Sequence, residues 1–319
     1  MNEITTDLKI LQEETLNNLK NSKAQNTLKA YKSDFRDFSL FCLKHGLKSM
    51  PSNPDVISLY LTSLSKLDAK ISTLRRRLVS ISVVHKVKGY YLDTKHPIIV
   101  ENFLGIKRTK GSFQKGKKPI LISHLKKIIE AINKDNTSEI KKLRDKSLIL
   151  LGFSGGFRRS EITSINYEDL EFVEEGLKIM VRKSKTDQYG EGHLKGIPYL
   201  TEEFLCPVKA LRMWLDISKI DSGSLFRKFN KGFSLSKTRL TDQTIALLIK
   251  DYLEKAGLDN KNYSGHSLRS GFATVTAEAG ADERSIMAMT GHKSTEMVRR
   301  YIREANIFKN NALKKIKFK

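Results

Sequence analysis

Cysteine is nearly absent: Cys42 and Cys206 are the only two in 319 residues, far apart and in no metal-ligand spacing. That excludes a disulfide framework and a cysteine-built zinc site, and it fits a reducing interior where both act as small apolar residues. Long apolar runs are missing as well. No stretch reaches the ~20 residues that a membrane-spanning helix needs, and the opening MNEITTDLKILQEETL lacks a basic-then-apolar signal pattern. The expectation is a soluble intracellular protein, cytoplasmic and without a membrane partner. Acidic residues are outnumbered, 35 Asp and Glu against 58 Lys and Arg, for a net charge of +23. An excess of that size points to a polyanion, nucleic acid ahead of an anionic membrane surface. The plain alternative is a basic solvated face.

The first third of the chain shows helical periods and no strand alternation. Ile4, Leu8, Leu11 and Leu16 form only a weak amphipathic pattern. From Thr27, a cap candidate, Leu28, Tyr31, Phe35, Phe38 and Phe41 recur near the 3.6 period, and Gly46 can end that helix. Asn53-Pro54 starts a second helix. A third is expected over 71–88, with Arg75, Arg76 and Arg77 exposed for DNA and Leu74, Leu78, Ile81 and Val84 turned inward. A fourth, shorter one follows His96-Pro97. The stretch KRTKGSFQKGKKP, with Lys107, Arg108, Lys110, Lys115 and Lys117, has no apolar periodicity and reads as a basic linker. Such a linker suits a protein that wraps a duplex and neutralises its phosphates; the bland reading is a soluble hinge. Either way the domains divide as 1–114 and 115–319.

The second part mixes element types. Helices are expected over 123–133, 139–153, 207–217 and 242–256, with a succession of them near the C-terminus. Residues 167–173, 177–181 and 196–200 alternate as strands do. RKSKTDQYGEGHLKG then reads as a polar hairpin loop. The segment GFSGGFRRSEITSI invites a phosphate-loop reading, but its Gly-Lys-Ser/Thr ending is missing, which rejects it. No internal repeat or low-complexity tract is found.

The chemistry concentrates between Ser264 and Glu304. His266 and Arg269 stand three apart and share a helical face. Gly291-His292 follows, and nine residues later comes Tyr301 in a basic setting. Displacement at a phosphodiester adds negative charge to the phosphoryl oxygens, so fixed cations and hydrogen-bond donors are what it requires. A tyrosine hydroxyl can serve as the covalent nucleophile. Each residue also has a structural reading: a lone histidine is more often core, and Tyr301 with Met297 could be the apolar face of a helix, as Met287 and Met289 are taken to be. Two histidines without a third ligand make no metal site.

Taken together, His-x-x-Arg, Gly-His and Tyr resemble the catalytic box of the tyrosine recombinases, the phage-integrase, Cre and XerD family. The family's first arginine lies in Gly156-Phe157-Arg158-Arg159-Ser160-Glu161, where Glu161, three residues on, selects Arg158. Arg159 is then structural or phosphate-contacting. The family's hairpin lysine matches Lys185 in Ser184-Lys185-Thr186, with Lys183 left open. Ser270 departs from the histidine that many relatives carry. The resemblance covers about 118–315. It implies a mostly α chain: an all-helical, SAM-like core-binding domain, then a mixed α+β catalytic domain with a small antiparallel sheet, the DNA breaking-rejoining fold. It also implies a site-specific DNA recombinase working through a 3′-phosphotyrosyl link, without cofactor or metal. Tyr301 would be the nucleophile and His266 its base, Arg158, Arg269 and His292 the phosphate ligands, Lys185 the general acid, and Glu161 an orienter of His266 or of its supporting backbone. The partners implied are double-stranded DNA with a specific site and further copies of the chain, a dimer per site and a tetramer in synapsis, on the nucleoid. Ile307, Phe308 and Leu313 would contact the neighbouring protomer. The alternatives are an architectural DNA-binding protein of the same fold without catalysis, and a strand-relaxing topoisomerase.

Overall fold

The computed structural model describes residues 23–111, 116–182 and 191–306, with isolated positions near each terminus. The chain divides into two compact units, Met1–Lys115 and Gly116–Lys319.

In the first unit, four helices are described: α1 (Gln25–Lys44), α2 (Pro54–Lys66), α3 (Ile71–Val87) and α4 (Pro97–Lys110). The Asn53 side chain caps α2 by accepting from the Val56 N–H at 3.0 Å, and Pro54 sits in the first turn, where its missing N–H costs nothing. α1 packs on α3, and α2 on α4. Phe38, Tyr60, Leu61, Leu74, Ile81 and Ile99 form the apolar centre. At its edge lies one buried carboxylate, Asp34, which receives Arg76, Arg77 and the Ser80 hydroxyl (2.7 Å).

That carboxylate corrects the reading of the arginine triplet. Arg75 and Arg76 are exposed, but the Arg77 side chain is only 18% exposed and is held between Asp34 and Asp37. Arg75 lies over the Phe103 ring, 5.9 Å from its centroid. The linker also changes. Lys107, Arg108 and Lys110 form the last turn of α4, because Ile106 is drawn into the core and the helix ends only at Gly111, whose φ of +71° favours glycine. Lys110 donates to Asp68 at 3.2 Å. Lys115 lies outside the described residues, and Lys117 donates to the Lys261 carbonyl.

The second unit is built around α6 (Glu139–Ser154). Leu148, Ile149, Leu150 and Leu151 are consecutive and all fully buried, so this helix is covered on every side. Around it lie α5 (Ile122–Lys134), α8 (Pro207–Ser218) and α10 (Ser267–Glu278). After α6 come α7 (Arg159–Ser164) and an antiparallel sheet ordered β1 (Leu170–Val173), β2 (Gly176–Val181), β3 (His193–Pro198). The remaining described elements are β4 (Arg227–Phe229), β5 (Leu235–Arg239), α9 (Asp242–Lys255), α11 (Glu283–Thr290) and α12 (Thr295–Asn306). The β4–β5 pair was not foreseen. Nor was the start of β3 at His193, inside the stretch read as loop. Its register sets Lys195 opposite Ile179 and Ile197 opposite Leu177, so Lys195 takes an inward place that periodicity reserves for an apolar residue.

The start of α10 and the turn before it are held by the segment leading into α5. Lys118 N–H donates to the Asn262 carbonyl (2.8 Å) and Ile120 N–H to the Ser267 carbonyl (2.9 Å). This close approach depends on Gly271: a Cβ there would fall 2.1 Å from the Ile120 carbonyl oxygen. Gly271→Ala is therefore expected to destabilise the fold by ~1–3 kcal/mol, read from urea unfolding. Unchanged stability would mean that the backbones do not approach this closely.

Candidate active site

The site begins where α6 ends. Gly155 follows its last turn, and Gly156 takes φ +54°, a conformation that a side chain would strain. A Cβ on Gly155 would meet the Phe157 ring at 2.1 Å, and one on Gly156 would press on Phe272 and Thr290, both at 3.1 Å. The turn aims two successive carbonyls inward. Gly155 accepts from Lys195 Nζ at 2.8 Å and Gly156 from Arg269 Nη1 at 2.9 Å. The glycines that invited a phosphate-loop reading thus hold cations by their carbonyls.

Arg158 stands at the N-cap of α7, and the Glu161 side chain folds back onto it. The carboxylate accepts from the Arg158 backbone N–H at 2.9 Å and from its guanidinium. Arg158 Nη2 reaches the Gly291 carbonyl at 3.2 Å. Gly291 can present that carbonyl because it caps α11 at φ +62°, with its N–H bonded to Met287 O. The Gly-His pair is therefore a helix stop that also holds an arginine.

Arg269 is 5% exposed, and its Nη2 is buried without a hydrogen-bond partner. Burial, with Arg158 beside it, pushes its guanidinium down to about 10. Lys195 has a fully buried side chain, 4.0 Å from Glu161 Oε2 and with Nζ 4.2 Å from the Phe157 ring centroid. Burial brings its ammonium down to about 7, against the pull of Glu161 and with the repulsion of Arg269 and Arg158. Glu161 also suffers burial, yet the bonds from Arg158 hold its carboxyl below the usual range. One carboxylate thus serves three cations, and the site keeps an excess of positive charge out of water.

His292 follows the Gly291 stop. The Thr290 hydroxyl donates to the Ile286 carbonyl (2.6 Å) and lies 2.7 Å from His292 Nδ1. That bond network assigns the proton of the neutral ring to Nδ1 and leaves Nε2 as the acceptor. Burial first, then Arg269 and Arg158, pushes this imidazole down to about 4. Tyr301 is half-buried on α12, its ring centroid 6.4 Å from that of His292. It packs beside Ala273, Ala277, Ile286 and Val298, so its ring has an apolar setting. His266 is the N-cap residue of α10, exposed, one turn before Arg269.

The structure thus brings together Arg158, Glu161, Arg269, His292 and Tyr301. The carboxylate of Glu161 engages Arg158 and Lys195, where the sequence suggested an orienter of His266 or of its supporting backbone. Arg159 lies against Gly265 and donates to the Asp242 carbonyl at 3.4 Å. Lys183 and Lys185 lie outside the described residues. Lys195 and Thr290 were missed. The alternation Val181, Ile179, Leu177 against His193, Lys195, Ile197 carried the signal for the first, and nothing in the sequence marked the second.

Residues 122–306 match the model of the phage integrase family. Over 301 residues the chain is 44% identical to an integrase/recombinase xerD homolog of Selenomonas ruminantium, covering 93% of this chain and 87% of that protein. It is 27% identical over 274 residues to the tyrosine recombinase XerD of Rickettsia conorii, covering 84% and 85%. Among solved structures, the Tn1549 transposon integrase in complex with transposon right end DNA matches with a TM-score of 0.64 at 17% identity, covering 88% of this chain and 89% of that one. The XerH site-specific recombinase bound to palindromic difH substrate matches at 0.62 and 17%, covering 83% and 72%. At such identities the structural likeness speaks for the fold alone.

The state of His292 gives a pH prediction. Its ring stays neutral at physiological pH and titrates near 4, whereas an unfolded chain binds that proton near 6.5. The unfolded state then holds more protons between these values, so His292 withdraws stability as pH falls from 6.5 towards 4. An NMR titration of the ring checks it; a midpoint at the ordinary value would mean that water reaches the imidazole.

Proposed function

The chain belongs to the phage integrase family and acts as a tyrosine-type site-specific DNA recombinase; we propose that Tyr301 is its nucleophile and that Arg158, Arg269 and His292 hold the scissile phosphate. The observation that carries this assignment is the buried, unpartnered Nη2 of Arg269 beside Arg158. A donor left unsatisfied out of water is costly, and an anion that accepts from it relieves that cost. A phosphodiester oxygen between two guanidinium forks does so, and a phosphorane, with more charge, does so better.

In the step, Tyr301 Oη bonds to phosphorus while the bond to the 5′-oxygen breaks, leaving a 3′-phosphotyrosyl link. The tyrosine proton passes to a base, for which His266 is the candidate. The leaving 5′-oxygen takes a proton from Lys185, with Lys183 the neighbouring alternative. His292, once the anion offsets the neighbouring arginines, takes a proton from solvent at Nε2 and donates to the phosphate. The link keeps the energy of the ester, so a 5′-hydroxyl of a partner strand reverses the reaction without a nucleotide or metal cofactor. Two protomers act at each site and four in the synapse. Arg75, Arg76, Lys107, Arg108, Lys115, Lys117 and Arg159 are the proposed backbone-contacting cations. Among the described residues no helix is long and apolar enough to cross a membrane; the proposed place of action is the nucleoid in the cytoplasm.

Covalent trapping tests the roles. The protein is mixed with nicked duplexes that include DNA flanking its own gene and run on a denaturing gel. Tyr301→Phe is expected to abolish the adduct and spare binding; an adduct that persists moves the nucleophile elsewhere. Arg269→Lys, which loses the planar fork, is expected to slow adduct formation about 100-fold; an unchanged rate would remove Arg269 from the phosphate. Binding should weaken steeply with salt, and a flat curve would sink the backbone-contact assignment.

A further inference from the structure

A lysine with a fully buried side chain, where the register calls for an apolar one, calls for a physical account. Lys195 lies near enough to Arg158 and Arg269 to feel their charge. Its Nζ is fixed on the Gly155 carbonyl (2.8 Å), against Glu161 (4.0 Å) and over the Phe157 ring. A methionine or leucine there would fill the space without desolvating a charge. The ammonium is out of water, so it is not the group that protonates a leaving 5′-oxygen. What it touches are the two supports of the site. Gly155 belongs to the turn whose next carbonyl anchors Arg269, and Glu161 is the carboxylate that fixes Arg158.

We propose that Lys195 is a positioning residue for strand cleavage: it ties the glycine turn to Glu161 so that Arg158 and Arg269 keep their aim, and it places a third positive charge beneath the phosphate. The proposal rests on the recombinase reading above. Its electrostatic logic follows from the neighbours. The groups facing Lys195 are Glu161 on α7, Arg158 before it, Arg269 on α10 and His292 after α11. Three of these are cations or can become so, and only one is an anion. The charged form of Lys195 is therefore held weakly in the free protein, near neutrality, and an incoming phosphate strengthens it. DNA entry takes up a proton at this lysine, and the added charge of the phosphorane draws on it further.

The test compares the full-length wild type with Lys195→Met and Lys195→Arg on the nicked duplex that the trapping assay selects. Lys195→Met should keep DNA affinity, which surface phosphate contacts dominate, and should melt no lower than wild type. Its adduct rate should fall about 100-fold, the scale of a small misplacement of catalytic groups. Lys195→Arg should recover part of that loss. At limiting DNA, the ratio of the wild-type to the Lys195→Arg rate should decline as pH rises through about 7, because only the lysine loses its charge; taking the ratio cancels the titration of the other groups. A wild-type adduct rate in Lys195→Met, a melting temperature that falls together with the rate, or a ratio flat with pH would each overturn the proposal. A wild type that forms no adduct counts against the recombinase reading instead, and the melting comparison then decides whether Lys195 is merely structural.

Discussion

The carboxylate of Glu161 is the constraint on which the rest of the catalytic unit depends. It is 1% exposed, and it answers Arg158 through both backbone and side chain while standing near Lys195. Without it, several cations would share a dry space with only carbonyl dipoles to offset them. With it, they are held together but not neutralised. That residual imbalance is the useful quantity. A site with balanced charges would have no reason to bind a phosphate; one with no anion would not fold around its arginines.

The carbonyl dipoles complete the arrangement. Gly155, Gly156 and Gly291 each turn an oxygen towards a cation. Two of the three do so from positive φ, where other residues are strained. Fixed dipoles hold the arginines without cancelling their charge, so the guanidinium groups remain available to an oxyanion. Thr290 plays a similar part for His292, setting which ring nitrogen carries the proton.

Much of this was legible in the sequence, for identifiable reasons. Helix periods, the Asn53-Pro54 start and the turn glycines act locally, so they can be read one segment at a time. Arg158 was separable from Arg159 because Glu161 stands three residues after it, as in the family segment that the sequence resembles. What was not legible depended on long-range partners. Arg77 looked exposed because Asp34, 43 residues earlier, is not visible to a helical wheel. Lys107 to Lys110 looked like linker because charge hid the single anchor, Ile106. Lys195 was read as loop for the same reason: a buried lysine has the signature of a surface residue until its cross-strand neighbours are known.

The bond from Arg158 to the Gly291 carbonyl joins positions 133 apart in the chain. Its consequence appears during synthesis. The ribosome exposes the helical first unit and the first arginine long before α11 and its glycine stop have emerged. Until the residues past 291 are out, Arg158 lacks its second anchor and the proposed nucleophile has not yet been made. A growing chain of that length carries its basic surfaces but not yet the proposed nucleophile. The order of the elements along the gene therefore makes the proposed nucleophile the last part of the site to be synthesised.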